Sequence, residues 1–150
     1  MSESKLTVYP DGHYEWRLNG KLHREYGPAV EYADGYKLWY LNGELHREDG
    51  PAVEYETGAK SWYINGKLHR EDGPAIYTAK LQEWHIDGKP HRDDGPAVEH
   101  VNGTKLWYIN GKPITVRPTR EEAAQAKLDT ETQALVDNTF LKLMEIFDEQ

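Results

Sequence analysis

Cysteine is absent from this 150-residue chain, which excludes disulfide bonds, thiolate metal ligands and a cysteine nucleophile. Serine occurs only three times, and the sequence contains no Gly-x-Ser-x-Gly, phosphate-loop or His-Glu-x-x-His motif. Acidic residues are common, but an active site needs unlike groups forced together, which a periodic sequence does not favour. We therefore expect no enzymatic activity, no cofactor and no bound metal.

Long apolar runs are also missing. Only 37% of the residues are hydrophobic, and no stretch approaches the roughly 20 residues of a membrane-spanning helix or resembles a signal peptide. Basic residues are in the minority, with 18 Lys and Arg against 26 Asp and Glu, and the net charge is −8. This charge gives no general attraction to phosphate backbones or anionic lipids. We expect a cytoplasmic protein with no membrane partner and no nucleic-acid partner.

The aromatic residues that are present belong to a repeat. Residues 39–53 read WYLNGELHREDGPAV, and similar copies begin at Trp16, Trp62 and Trp84, with a partial copy at Trp107. The spacing is measured from the His-Arg pairs, which recur after 23, 23 and 22 residues: His23-Arg24, His46-Arg47, His69-Arg70 and His91-Arg92. Self-similarity at this period indicates a repeat architecture in which neighbouring units bury the core.

Each repeat is predicted to contain two antiparallel strands. In one copy residues 28–32 form the first strand, 33–35 a turn and 36–41 the second strand, which Asn42-Gly43 ends in a type I′ turn. A connection through His46-Arg47 then leads to Pro51 at the start of the next strand. The sequence predicts an elongated, mainly β antiparallel meander of nine or ten strands over residues 7–117, after a disordered N-terminus at 1–6.

The third repeat is irregular. Residues 76–84 are one residue shorter than their counterparts and lack the turn glycine, so we expect a tighter turn or a bulge there.

Alternation assigns the two faces of the predicted sheet. Trp39 and Leu41 point to one side, and Leu38 and Tyr40 to the other. Because the Trp position hardly varies, we expect it to be buried with the aliphatic residues Val30, Val53, Ile76 and Val98. The variable position before each Trp is expected to be solvated. The second face carries the candidate binding stripe, formed by Arg17, Tyr40, Tyr63, His85 and Tyr108. Its rings could contact a partner or only stack across strands.

The His-Arg pairs have two interpretations. Together with Asp49, Asp72 and Asp94 they could form a row of metal-binding side chains. Alternatively, each pair could brace its own connection, with the Arg paired to an acid of the following turn. Equivalent residues of adjacent repeats are separated by two strands, about 9–10 Å, which is too far to share one ion with bonds of about 2 Å. We therefore favour bracing.

The repeat ends before residues 118–150, which carry 3 basic and 8 acidic residues. Pro118 breaks the pattern, and Thr119 with Glu122 forms a capping box, so a short helix to about Leu128 is predicted, followed by a longer one over about 131–147. The apolar face of the longer helix comprises Val136, Phe140, Leu143 and Phe147. This segment could cap the last repeat, form a homodimer or enter a groove on a partner.

The repeat over residues 14–113 resembles the MORN family, and more closely a divergent form, W-Y-x-N-G-K-x-H-R-x-x-G-P-A, of bacteriophage and giant-virus proteins. The resemblance implies a solenoid of about four hairpin repeats. It also implies a non-enzymatic interaction protein, for example a phage-encoded, anti-CRISPR-like inhibitor of a host defence complex acting in the host cytoplasm. The alternatives are a β-repeat protein that binds a nucleotide or glycan, and a structural component of the virion.

Overall fold

The computed structural model describes residues 4–115 together with Leu128 and Thr132. Contacts divide the chain into one unit of Met1–Arg92 with Pro96–Ile114 and another of Asp93–Gly95 with Thr115–Gln150. In the second unit, the Thr132 hydroxyl donates a hydrogen bond of 2.7 Å to the Leu128 carbonyl.

Several predictions for the C-terminal segment fall outside the described residues. These are the boundary at 117/118, almost all of the two helices, and the apolar face of Val136, Phe140, Leu143 and Phe147. The part of the chain that is described contains no helix long and apolar enough to cross a membrane.

The first unit is mainly β, with many short antiparallel strands in an open sheet. Its strands are β1 (Ser4–Val8), β2 (Tyr14–Leu18), β3 (Lys21–Leu22), β4 (Val30–Glu31), β5 (Lys37–Leu38), β6 (Tyr40–Leu41), β7 (Glu44–Leu45), β8 (Val53–Glu54), β9 (Lys60–Ser61), β10 (Tyr63–Ile64), β11 (Lys67–Leu68), β12 (Ile76–Tyr77), β13 (Leu81–Glu83), β14 (His85–Ile86), β15 (Lys89–Pro90), β16 (Val98–His100), β17 (Lys105–Leu106), β18 (Tyr108–Ile109) and β19 (Lys112–Pro113).

The strands form one main sheet and a series of small hairpins. The main sheet has the order β1-β2-β4-β5-β8-β9-β12-β13-β16-β17, with β3 paired to β2, so its strands succeed one another in chain order as the sequence predicts. The pairs β6–β7, β10–β11, β14–β15 and β18–β19 are the separate hairpins. Their turns have the predicted type I′ character, since Asn42 (φ 54°) and Gly43 (φ 90°) both lie in the left-handed region.

The single strand predicted over residues 36–41 is wrong, because the ladder breaks at Trp39. The Trp39 N–H donates to the Ala52 carbonyl at 2.8 Å, within the main sheet, whereas its carbonyl accepts from the His46 N–H at 3.0 Å, within the hairpin. Trp16, Trp62 and Trp84 make the same two bonds, so each of these four tryptophans joins two pairing systems. The segment after Asn42-Gly43, predicted to be a connection, is strand β7.

Successive hairpins are bonded to one another. The Gly66 N–H donates to the Leu45 carbonyl at 2.9 Å, and the Arg47 N–H donates to the Tyr63 carbonyl at 3.0 Å. Bonds at the equivalent positions link the other neighbours. The hairpins therefore form a second ladder beside the main sheet, which we call the hairpin row.

The buried apolar residues come from the Pro-Ala-Val segments: Ala29, Val30, Ala52, Val53, Ala75, Ala97 and Val98. Val30 pairs directly with Leu38, and Leu38 pairs with Val53. Because directly paired residues share a face, the valines lie on the Leu38 side and not on the tryptophan side.

The predicted grouping of Val30, Val53, Ile76 and Val98 with the tryptophans is therefore wrong. Ile76 and the tryptophans are half-buried, and the position before Trp is half-buried at Leu38 and Ser61 rather than solvated. By alternation, the fully buried alanines take the tryptophan side.

Two local predictions have clear outcomes. The third repeat does turn more tightly: the Thr78 N–H donates to the Leu81 carbonyl, three residues on, whereas Tyr32 bonds to Tyr36, four residues on. The disordered N-terminus predicted for 1–6 is too long, because Ser4 to Leu6 pair with Leu18 to Trp16 in the sheet.

Candidate functional site

The tryptophan face carries a bracing contact that recurs from repeat to repeat. The Arg47 guanidinium lies 4.2 Å from the centroid of the Trp39 ring. Its Nη1 donates to the Pro51 carbonyl at 3.2 Å, and its Nε donates to Asp49 at 2.8 Å. We call this arrangement the Trp–Arg brace. Equivalent guanidinium-ring contacts join Arg24 to Trp16, Arg70 to Trp62 and Arg92 to Trp84.

The glycine before each Pro-Ala makes room for the brace. A Cβ on Gly50 would lie 2.9 Å from the Cζ of Arg47, and one on Gly73 would lie 2.9 Å from the Cζ of Arg70. Neither glycine has a positive φ, so the space and not the backbone conformation requires glycine here. The recurring Arg-x-x-Gly-Pro pattern thus has an architectural explanation.

The histidines link neighbouring repeats. The Nδ1 of His46 accepts a hydrogen bond from the Asn65 N–H at 3.2 Å and lies 2.9 Å from the Asn65 side-chain oxygen, 19 residues along the chain. His23 and His69 make the same contacts to Asn42 and Asp87. The prediction that Arg pairs with an acid of the following turn is confirmed at Arg47 with Asp49 and at Arg70 with Asp72. The histidines contact the next hairpin rather than their own connection.

The metal-binding alternative gains no geometric support. Among residues 4–115, Leu128 and Thr132, no group of three His, Asp or Glu side chains could hold a metal ion. The Nδ1 atoms of His23, His46 and His69 are already used in the contacts between hairpins.

The predicted binding stripe lies on the opposite face, where each hairpin leaves the main sheet. Tyr40, Tyr63 and Tyr108 are half-buried. Burial raises the pKa of both Tyr40 and Tyr63. Arg17 is engaged locally, with its Nε donating to Glu15 at 2.9 Å and its Nη1 to the Gly20 carbonyl at 2.8 Å. These side chains are partly covered by the protein itself, so only part of each can meet a partner.

His85 is the most buried member of the stripe, with 7% of its surface exposed. Its Nε2 lies 2.8 Å from Glu83, a residue that takes the place of Leu38 and Ser61 in the preceding repeats. Its Nδ1 is buried and has no hydrogen-bond partner among the described residues. The irregular third repeat thus has an acid-histidine pair where the two preceding repeats have Leu38 with Tyr40 and Ser61 with Tyr63.

The structure also shows a row of stacked rings that the sequence analysis missed. The ring centroids of Tyr9 and His13 are 4.0 Å apart, those of His13 and Tyr32 5.1 Å, those of Tyr32 and Tyr36 5.4 Å, and those of Tyr36 and Tyr55 4.7 Å. Interplanar angles of 7° to 27° make each pair a stack. We call these five residues the aromatic row.

Three successive turns of the main sheet supply the row. The Tyr9 and Tyr32 N–H groups bond to the His13 and Tyr36 carbonyls, which places both rings of each pair at the base of one turn. A sequence signal existed: Tyr9, Tyr32 and Tyr55 are spaced by 23 residues, as are His13 and Tyr36. These residues lie outside the recurring motif from which the period was taken, and for that reason they were not grouped from the sequence alone.

The row combines half-buried with exposed tyrosines. Burial raises the pKa of Tyr36 above its ordinary range, and a hydrogen bond to Tyr55 adds to the effect. The exposed fraction is 37% for Tyr32 and 46% for Tyr55. The pKa of Tyr63 is raised mainly by burial and to a smaller extent by Tyr55 of the row. We call the aromatic row together with Tyr40 and Tyr63 the tyrosine face.

Comparison with known protein families and with characterised proteins finds no match for this chain.

Proposed function

We propose that this chain is a non-catalytic binding protein that contacts a protein partner through the tyrosine face. The observation that carries the proposal is the aromatic row, five stacked rings held on three rigid turns with two of the tyrosines more than a third exposed. Tyrosine is enriched at the energetic centres of protein interfaces, because it gives a large contact area and has few rotatable bonds.

Stacking also favours binding by preorganisation. Each ring of the row is held by its neighbour, so little side-chain entropy remains to be lost when a partner docks. The half-buried Tyr40 and Tyr63 lie beside the row and extend the apolar contact surface towards the hairpin row.

The repeat resemblance narrows the proposal. A MORN-like hairpin solenoid of the phage and giant-virus type favours a host protein as the partner, and an inhibitor of a bacterial defence complex is the most specific form of this idea. Under this proposal the protein acts in the host cytoplasm. The C-terminal segment 118–150 remains a candidate for a cap, a dimer contact or a second partner contact.

Affinity capture from a bacterial lysate with matched variants tests the proposal. The tyrosine-face variant is Tyr32→Ala with Tyr55→Ala, and the control is Tyr26→Ala, which removes an 86% exposed tyrosine outside the row. We expect quantitative mass spectrometry to find a protein captured in equal amount by the wild type and the control, and about tenfold less by the double variant. Equal capture by all three would contradict the proposal. A small molecule that co-purifies without any protein would favour the ligand-binding alternative.

A further inference from the structure

Every turn that supplies the aromatic row carries an acidic side chain. The three turns that supply the row, at 9–13, 32–36 and 55–59, carry Asp11, Asp34 and Glu56 and contain neither Lys nor Arg. The next two turns of the same edge, at 78–81 and 100–104, carry Lys80 and no carboxylate, and they supply no ring to the row. Stacked rings and carboxylates therefore occur together on one part of this edge, whereas the other two turns carry no tyrosine and no carboxylate.

Two of the carboxylates are fixed by hydrogen bonds within their turns. The Asp34 side chain accepts a hydrogen bond of 3.0 Å from the Tyr36 N–H, and Asp11 accepts one of 3.2 Å from the His13 N–H. The Glu56 Cβ lies 4.0 Å from the position of a Cβ on Gly35, so the turns of Glu56 and Asp34 are neighbours. All three acidic residues are exposed. The Asp11 carboxylate is paired with the His13 ring, whereas Asp34 and Glu56 add negative charge to the turns that carry Tyr32 and Tyr55.

We infer that the aromatic row binds a cationic segment of its partner, an arginine-rich or lysine-rich peptide stretch. A guanidinium stacks on the electron-rich face of a tyrosine ring and donates paired hydrogen bonds to a carboxylate, so one arginine satisfies both features of this edge. The same carboxylates repel phosphate and acidic peptides, which sets the sign of the complementary surface. This inference rests on the proposed function and specifies the chemistry of the partner.

Fluorescence anisotropy of the full chain with labelled model peptides tests the inference. The probe is a 12-residue peptide of alternating Arg and Gly, and the comparison peptide has Glu in place of Arg. We expect the Arg-Gly peptide to bind more tightly than the Glu-Gly peptide, with an affinity that falls as salt rises. Equal binding, or preference for the Glu-Gly peptide, would overturn the inference.

Two charge variants separate a local site from a general effect of net charge. Asp34→Asn with Glu56→Gln removes two charges beside the row, and Glu48→Gln with Glu71→Gln removes two from side chains that are 85% exposed and lie in the connections between repeats. We expect the first variant to weaken Arg-Gly binding about fivefold or more and the second less than about twofold. Equal weakening by both would show a non-specific charge effect and contradict the inference.

A separate pair of variants tests how much a tyrosine ring of the row contributes to peptide binding. Tyr55→Leu keeps bulk but removes the electron-rich face, and we expect it to weaken Arg-Gly binding about threefold relative to Tyr26→Leu. A urea midpoint unchanged from the wild type would establish that each variant is folded.

The two proposals fail in different ways. If the wild type captures a protein through Tyr32 and Tyr55 but does not prefer the Arg-Gly peptide, the cationic inference is wrong and the proposed function stands. If neither capture nor peptide binding depends on these tyrosines, both are wrong.

Discussion

The two ends of the main-sheet strands follow different rules. Towards the hairpin row, each repeat uses the same parts: a tryptophan, an arginine stacked on it, and a glycine that leaves space for the guanidinium. At the turn end, the residues change from one repeat to the next, from Tyr32 and Tyr36 to Tyr55 and Ala59 and then to Thr78 and Leu81.

This difference separates architecture from recognition within one chain. A contact that must form between every pair of neighbouring repeats constrains every copy in the same way. A surface that meets one partner has no such requirement, so its side chains can differ along the array. We therefore assign the uniform end to stability and propose that the variable end is the binding surface.

Loss of a bracing ring should have the largest effect. Trp62→Ala removes the half-buried ring on which Arg70 stacks at 4.0 Å, and we expect it to lower the free energy of unfolding by about 2–3 kcal/mol in urea titrations. Tyr26→Ala, which removes an exposed ring, should change it by less than about 0.5 kcal/mol. Similar losses in both variants would remove the distinction between the two kinds of aromatic residue.

A smaller effect is expected at the spacing glycine. Gly73→Ala places a Cβ 2.9 Å from the Cζ of Arg70 and should displace the guanidinium, at a cost of about 1–2 kcal/mol. In an Arg70→Ala background the same substitution has no guanidinium to displace, so most of the cost should vanish. An undiminished cost in this double-mutant cycle would show that the glycine serves another purpose.

The change of stability at alkaline pH tests the burial of Tyr36 at the turn end. The pKa of Tyr36 is raised in the folded state, mainly by burial, so its contribution to stability is complete below the unfolded value of about 10 and is lost as the pH rises above it. We expect the urea midpoint to fall between pH 9.5 and 11 (roughly the titration range of unfolded tyrosine) and to fall less in Tyr36→Phe. The same decline in both proteins would contradict the burial of this hydroxyl.

The smallest effect concerns the exposed acid of the brace. A hydrogen bond from Arg70 lowers the pKa of Asp72, so this group stabilises the fold above the unfolded pKa of about 3.9 and the contribution is lost as the pH falls through the folded value. Asp72→Asn should be slightly less stable than the wild type at pH 6 and equal to it at pH 2.5. A constant difference at both pH values would mean that charge is not involved.

The sequence predicted what depends on local chemistry. The Asn-Gly turns followed from the tolerance of both residues for positive φ, and the tighter turn at Thr78 followed from one missing residue. The main-sheet order followed from the short connections.

The features that the sequence missed depend on contacts between strands. Alternation through Trp39 gave no sign that the ladder changes partner there. The face of Val30 was assigned incorrectly because it depends on the cross-strand register, which pairs Val30 directly with Leu38. Alanine is a weak hydrophobic signal, which explains why the fully buried Ala29 and Ala52 were not foreseen. The aromatic row was missed because its rings come from three separate turns.

The claim that one end of the main-sheet strands stabilises the fold and the other serves recognition can be tested directly. The measurement is the free energy of unfolding of two matched double variants. Arg47→Ala with Arg70→Ala removes two braces, and Tyr32→Ala with Tyr55→Ala removes two exposed rings of the aromatic row. We expect a loss of about 3 kcal/mol or more for the arginine pair and about 1 kcal/mol for the tyrosine pair. Equal losses, or a larger loss for the tyrosines, would contradict the assignment of the turn end to recognition.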